Sequence, residues 1–147
     1  MDRGTRKKWV LFICTHNSAR SQIAEGLMNA LYGDRYEAYS AGTEPSRVSP
    51  YAVAVMAEQG IDISRHRAKH LNEFRGMSFD YVITICDSAQ EACPFFPGAK
   101  KYLHKGFDDP AGFTGTEDEK LANFRRIRDE IRAWLEETFG RDYEHAY

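Results

Sequence analysis

The chain has 147 residues, 42% of them hydrophobic and 29% charged, with a formal net charge of −2. That length supports a core without disulfide or metal staples, so one domain over 1–147 is expected, and the near-neutral balance argues against nucleic acid as a partner. No apolar stretch reaches the length of a membrane span and the N-terminus lacks a signal-peptide pattern, which predicts a cytoplasmic protein with no membrane partner; a monomer is expected.

Trp9 to Ile13 is a short apolar run behind the basic Arg6, Lys7 and Lys8, and its length suits a buried strand better than a helix. Ile23, Leu27, Ala30 and Leu31 then fall at helical spacing, so a helix begins near Ala19 or Arg20 and ends at Gly33-Asp34. Tyr36 to Ser40 reads as a second strand and Ala41 to Pro45 as a loop. Ser49-Pro50 opens a second helix, a cap residue followed by proline at the first helical position. That helix turns Val53, Met56 and Ala57 inward and stops at Gly60.

A small helix is predicted around Leu71 to Phe74. Tyr81 to Ile85 is the clearest strand, β-branched, bounded by Asp80 and Asp87, and it ends on Cys86. Pro94 to Gly98 is a loop and Lys100 to Leu103 a short fourth strand. Thr116-Glu-Asp-Glu119 is a capping box that opens the longest helix, whose Leu121, Phe124, Ile127, Ile131, Leu135 and Phe139 form one apolar stripe. The alternation predicts an α/β fold: a four-stranded parallel sheet with helices on both faces, in a flavodoxin-like order. Its site belongs at the C-terminal ends of the strands.

Between the first strand and the first helix lies Cys14-Thr-His-Asn-Ser-Ala-Arg20-Ser21. In a strand–loop–helix unit the loop N–H groups converge with the unpaired donors and positive end of the helix, which makes an anion site. A cysteine opening such a loop sits in a field that favours its thiolate, the nucleophilic form. Arg20 adds a planar fork that holds two oxygens of a tetrahedral anion. Ser21 can donate its hydroxyl to the thiolate, and Asn17 can tie the loop backbone into shape. Cys14 is therefore the candidate nucleophile, with Thr15, His16, Asn17, Ser18, Ala19, Arg20 and Ser21 as candidate oxyanion-binding residues. The plainer alternative, an inert buried Cys14 with Arg20 in a surface ion pair, leaves this arrangement without a reason.

Cys86 closes a strand at the edge where Cys14 also sits, and Cys93 follows seven positions later. Three cysteines, an odd count, do not make a structural disulfide framework. Zinc on the three cysteines and a histidine is the weaker reading, since the Cys86-to-Cys93 gap exceeds usual structural-zinc spacings. No metal or cofactor is expected. Were residues 87 to 93 helical, the two Cα atoms would lie roughly 10 Å apart, beyond the reach of about 6.8 Å for a disulfide. The segment must be a loop, or be able to unwind, for the two to pair. Its polar Asp87, Ser88, Gln90 and Glu91 make such a change inexpensive.

The Cys14 loop with Ser21-Gln-Ile-Ala-Glu25 behind it resembles the low-molecular-weight protein tyrosine phosphatase superfamily, which holds phosphotyrosine phosphatases and thiol-dependent arsenate reductases. The cysteine pair, Pro94 and Gly106-Phe-Asp-Asp-Pro-Ala-Gly112 look like the thioredoxin-coupled arsenate reductases. So do Tyr39-Ser-Ala-Gly42, Gly60-Ile-Asp-Ile-Ser64 and Arg126-Ile-Arg-Asp-Glu-Ile131. The resemblance implies a low-molecular-weight phosphatase fold and a thiol relay through Cys14, Cys86 and Cys93. It gives Arg20 the oxyanion role and Asp109 that of general acid, with arsenate as substrate and thioredoxin as reductant. Asp108 is the competing acid.

Phosphatases of this type follow the Asp-Pro with aromatic residues, whereas Ala111 and Gly112 follow here, so phosphotyrosine is expected to find little to stack on. Some reductases of the type hold potassium with an asparagine, a glutamate, a serine and an aspartate. Asn17, Glu25 and Ser40 match, but Lys69 stands at the aspartate position, where its ammonium can take the cation's space. His16 departs from the glycine often found in the loop. Arsenate reduction is the expected activity. Phosphotyrosine hydrolysis is the runner-up, and a redox- or arsenic-sensing module using the three thiols as ligands is the non-enzymatic alternative.

Overall fold

The computed structural model describes residues 6–86 and 96–140. Its strands are β1 (Lys8–Cys14), β2 (Tyr36–Gly42), β3 (Phe79–Thr84) and β4 (Ala99–His104). All pair in parallel, in the order β2-β1-β3-β4. This is the predicted flavodoxin-like order. The chain leaves β1 towards β2 and later returns to its other side, so the C-terminal end of β1 is the switch point where ligands bind.

Val10, Leu11, Phe12 and Ile13 are fully buried, as a central strand covered on both faces requires. Val10, Phe12 and Cys14 face a layer formed with α1 (Arg20–Tyr32), α2 (Pro50–Ala57) and α3 (Glu117–Leu135). Leu11 and Ile13 face the opposite layer, which the 3₁₀ helix Leu71–Phe74 closes. There Trp9, Tyr39, Phe74, Phe79 and Phe96 make edge-on and tilted ring contacts.

Two details differ from the sequence expectation. The second strand runs through Ala41-Gly42, expected as loop, because Gly42 pairs with Cys14 and its amide donates to Lys69 O at 2.9 Å. A Cβ on Gly42 would stand 2.4 Å from Thr15 O, so only glycine lets this strand end lie against the loop. In α2 the buried residues are Ala52, Val55 and Met56, while Val53 is half-buried and Ala57 exposed. Ser49 fixes the first turn by accepting from the Tyr51 and Ala52 amides, and the i, i+3, i+4 face so set meets α1 and α3.

The Thr116–Glu119 capping box forms as predicted. Phe124, Ile127, Ile131, Leu135 and Phe139 are buried, with Leu121 half-covered at the rim. Among the described residues no helix is long and apolar enough to cross a membrane.

Candidate active site

Cys14 ends β1, and α1 begins six residues on at Arg20 with no side chain capping its first turn. The positive end of α1 therefore opens directly onto the loop between them. Thr15 O, His16 O and Ser18 O accept from the amides of Glu44, Ser46 and Ser49 at 2.9, 3.1 and 3.0 Å. The peptides are trans, so the following N–H groups, those of His16, Asn17 and Ala19, point away from that segment. Asn17 makes the tight bend, with φ 49 in the left-handed region that asparagine tolerates.

Cys14 is buried, and its Sγ lies 2.9 Å from Ser21 Oγ. Arg20 is no surface ion pair: it is 3% exposed, donates from Nη1 to Phe107 O at 3.2 Å, and approaches Asp109 Oδ2 at 3.6 Å. Asp109 accepts from the Ala111 amide through Oδ1, which turns its other oxygen to the hollow. Asp108 points elsewhere, to Arg126 at 3.4 Å, and is 71% exposed. A hollow of about 110 Å³ results, lined by Cys14, His16, Ser18, Ala19, Arg20, Ser46, Asp109 and Ala111.

Of the residues singled out in the sequence, Cys14, Arg20, Ser21 and Asp109 are thus brought together, with the loop residues Thr15 to Ala19 around them. His16 sits exposed at the rim, its Nδ1 3.0 Å from Glu44 O. Cys86 is fully buried two residues past β3, whose Thr84 pairs with Ile13 of β1, and it is disulfide-bonded, whereas Cys14 is a free thiol. Cys93 and the loop expected over 87 to 95 lie outside the described residues. Among the described residues, no three His, Cys, Asp or Glu side chains cluster as a metal site.

The family model for low molecular weight phosphotyrosine protein phosphatases matches residues 9–142. The chain belongs to that family. Within it, the chain is 47% identical over 125 residues to an arsenate reductase of Halalkalibacterium halodurans, covering 85% of this chain and 90% of the other. It is 45% identical over 130 residues to an arsenate reductase of Bacillus subtilis, covering 88% and 94%. A solved arsenate reductase in its phosphate-binding state superposes with a TM-score of 0.76 at 31% identity, over 91% and 98% of the two chains. A low molecular weight protein tyrosine phosphatase from T. tengcongensis reaches 0.73 at 29% identity, over 92% and 99%.

The potassium site of some family members does not fit here. Lys69 Nζ lies 3.8 Å from Glu25 Oε1 and 3.0 Å from Arg67 O, and Ser40 donates to the same Glu25 oxygen at 2.5 Å. Burial pushes the Lys69 ammonium down while Glu25 pulls it back up. A second cation there would face an ammonium at close range. The melting temperature is therefore expected to be equal in sodium and potassium salts at matched ionic strength. A rise specific to potassium would show that the ammonium leaves room for the ion.

A second hollow of about 330 Å³ adjoins the first and shares Ser18, Ser46 and Ala111 with it. Tyr51, Phe113 and Phe124 wall it, with Arg47 and Lys120. The expectation that a ring would find little to stack on is corrected on this point. Aromatic surface is present, but it comes from α2 and α3 and from Phe113, three residues past Pro110. Gln22 and His66, which the sequence reading passed over, also belong to the site's surroundings. Gln22 adjoins Ser21 as a polar residue on the buried side of α1, and that misfit was the available signal; His66 had none.

Proposed function

We propose that the protein is an arsenate reductase, monomeric and cytoplasmic, that works through Cys14, Cys86 and Cys93 and is re-reduced by thioredoxin. The observation that carries the reading is the hollow at Cys14. A buried thiol, a buried guanidinium and a carboxylate converge on a space of about 110 Å³, suited to a tetrahedral oxyanion. Its support comes from relatives named arsenate reductase that align over most of both chains.

In this reading arsenate enters with its oxygens on the loop N–H groups and the Arg20 fork. The Cys14 thiolate attacks arsenic, and one oxygen leaves as water on taking a proton from Asp109. The Cys86 thiolate then attacks the Cys14 sulfur. The sulfur–arsenic bond breaks, its electron pair stays on arsenic, and As(V) departs as As(III) in arsenite, leaving a Cys14–Cys86 disulfide. Cys93 attacks Cys86 in turn, which frees the Cys14 thiolate and moves the disulfide to Cys86–Cys93, where a dithiol partner reduces it. A free Cys14 beside a disulfide-bonded Cys86 is the pattern that the second exchange leaves. The test is turnover of arsenate to arsenite with thioredoxin as the only electron source; no arsenite above the rate without enzyme sinks the reading.

The second hollow favours phosphotyrosine hydrolysis as an accessory reading, since the same thiol, arginine and aspartate suffice for it. Aryl phosphate hydrolysis is expected, slower than arsenate reduction. Phe113→Ala is expected to raise KM for the aryl phosphate about two- to tenfold, the worth of one aromatic contact, with arsenate kinetics unchanged. Fast aryl phosphate turnover without arsenate reduction would reverse the order of the two readings.

A further inference from the structure

We propose that Gln22 is a positioning residue for the nucleophile: it holds Asn17 and Ser21 in a hydrogen-bond chain of one polarity that directs the Ser21 hydroxyl proton onto the Cys14 sulfur. The inference rests on the reading of Cys14 as the nucleophile and carries it one layer outwards. Gln22 lies in the first turn of α1 and is completely buried, as are Asn17 and Ser21. Its Nε2 lies 2.9 Å from Arg67 O, 2.9 Å from Asn17 Oδ1 and 3.2 Å from Asn17 O, and its Oε1 lies 2.9 Å from His66 Nδ1. Asn17 Nδ2 lies 2.7 Å from Ser21 Oγ, which lies 2.9 Å from Cys14 Sγ.

Side-chain amides can be turned either way round, and a hydroxyl can donate or accept. Two main-chain groups remove that freedom. Arg67 O can only accept, so the Gln22 atom facing it is the amide nitrogen. The Lys69 backbone N–H can only donate, and it lies 2.8 Å from Asn17 Oδ1, so that atom is the oxygen. Gln22 therefore donates to Asn17 Oδ1, and Asn17 Nδ2 donates to Ser21. The single Ser21 proton is then left for Cys14, where a hydrogen bond to a charged sulfur is stronger than one to a neutral thiol. At the outer end His66 Nδ1 donates to Gln22 Oε1, which the imidazolium and one neutral tautomer both do. The direction of the chain does not hinge on how His66 titrates. The opposite polarity would make Ser21 accept from a Cys14 thiol and hold the sulfur in its inert form.

Gln22→Met keeps the length of the side chain and removes its donor without adding a charge. The experiment is the iodoacetamide alkylation rate of Cys14 against pH, followed by mass spectrometry of the Cys14 peptide. The midpoint of the rate profile is expected to rise by about one to two pH units, the worth of a hydrogen bond to a charged group. Phosphate should still protect Cys14 from the reagent, since the loop itself is intact. In a Ser21→Ala background, where the chain has lost its last link, Gln22→Met is expected to produce no further rise. An equal rise in both backgrounds, or none with Ser21 present, would overturn the proposal. Should Gln22→Met not fold, as judged by its melting curve, Gln22→Leu is read by the same criteria. Arsenate turnover by the unaltered enzyme is measured alongside. Its absence would count against the reductase reading while leaving the alkylation result to decide the chain.

Discussion

Replacing Cys14 with serine is expected to abolish arsenate reduction, whereas Cys86→Ser and Cys93→Ser should each stop the reaction at a different point. The three thiols differ in what each sulfur can reach. Cys14 ends β1 and lines the hollow, and Cys86 lies just past the end of β3, the strand paired directly with β1. A Cys14–Cys86 exchange therefore joins neighbouring strand ends. Cys93→Ser is expected to complete that exchange and halt as a Cys14–Cys86 disulfide, after about one arsenite per enzyme. Cys86→Ser is expected to halt earlier, with arsenic still on Cys14 and no arsenite released. A single-turnover arsenite assay and mass spectrometry of the trapped species distinguish the three variants. Sustained turnover by Cys93→Ser with thioredoxin alone would remove Cys93 from the relay and return it to the status of a small packing residue.

Asp109→Asn is expected to lower kcat roughly a hundred- to ten-thousandfold, the range for losing a general acid. The departing oxygen is a poor leaving group until it is protonated, and Asp109 offers the carboxyl oxygen on the hollow side, beside Arg20. Phosphate should still bind and inhibit, because the loop amides and Arg20 remain. Asp108→Asn is expected to leave turnover almost unchanged, since that carboxylate is spent on Arg126 at the surface. Equal damage from both substitutions would mean that the loop, not one proton donor, is what the aspartates supply.

The choice between the two aspartates shows where the sequence stops. Asp108 and Asp109 stand two and one places before Pro110, and only the family resemblance put Asp109 ahead of its neighbour. What separates them is Ala111, whose amide holds Asp109 Oδ1, and Arg126, eighteen residues past Asp108 on α3. The Cys14 loop was legible because its chemistry is local: strand end, loop and helix start lie within eight residues, so spacing alone carries the geometry. The sheet order was legible too, from apolar runs alternating with helical stripes. The wall of the second hollow was not, because Tyr51, Phe113 and Phe124 come from three separate segments that only the packing of α2 against α3 brings together. The inward face of α2 was misread for a related reason. The Ser49 cap was read correctly, but a helix of eight residues carries too few apolar repeats to fix its inward face, and the partner helices choose it.

The complete burial of Asn17, Ser21 and Gln22 behind Cys14 bears on hydrogen exchange. Catalytic loops commonly open on their own, at little cost and far more often than the domain unfolds. Here the loop is stitched to β2 through Gly42, to the segment before α2 through three amides, and to residues 66 to 69 through Gln22 and Lys69. The N–H groups of His16, Asn17 and Ala19 are turned towards the hollow on this fixed backbone, and their exchange is expected to slow when phosphate fills it. In the relay proposed above, the movement that exchange requires would then fall to the other two thiols, with Cys14 as the fixed point.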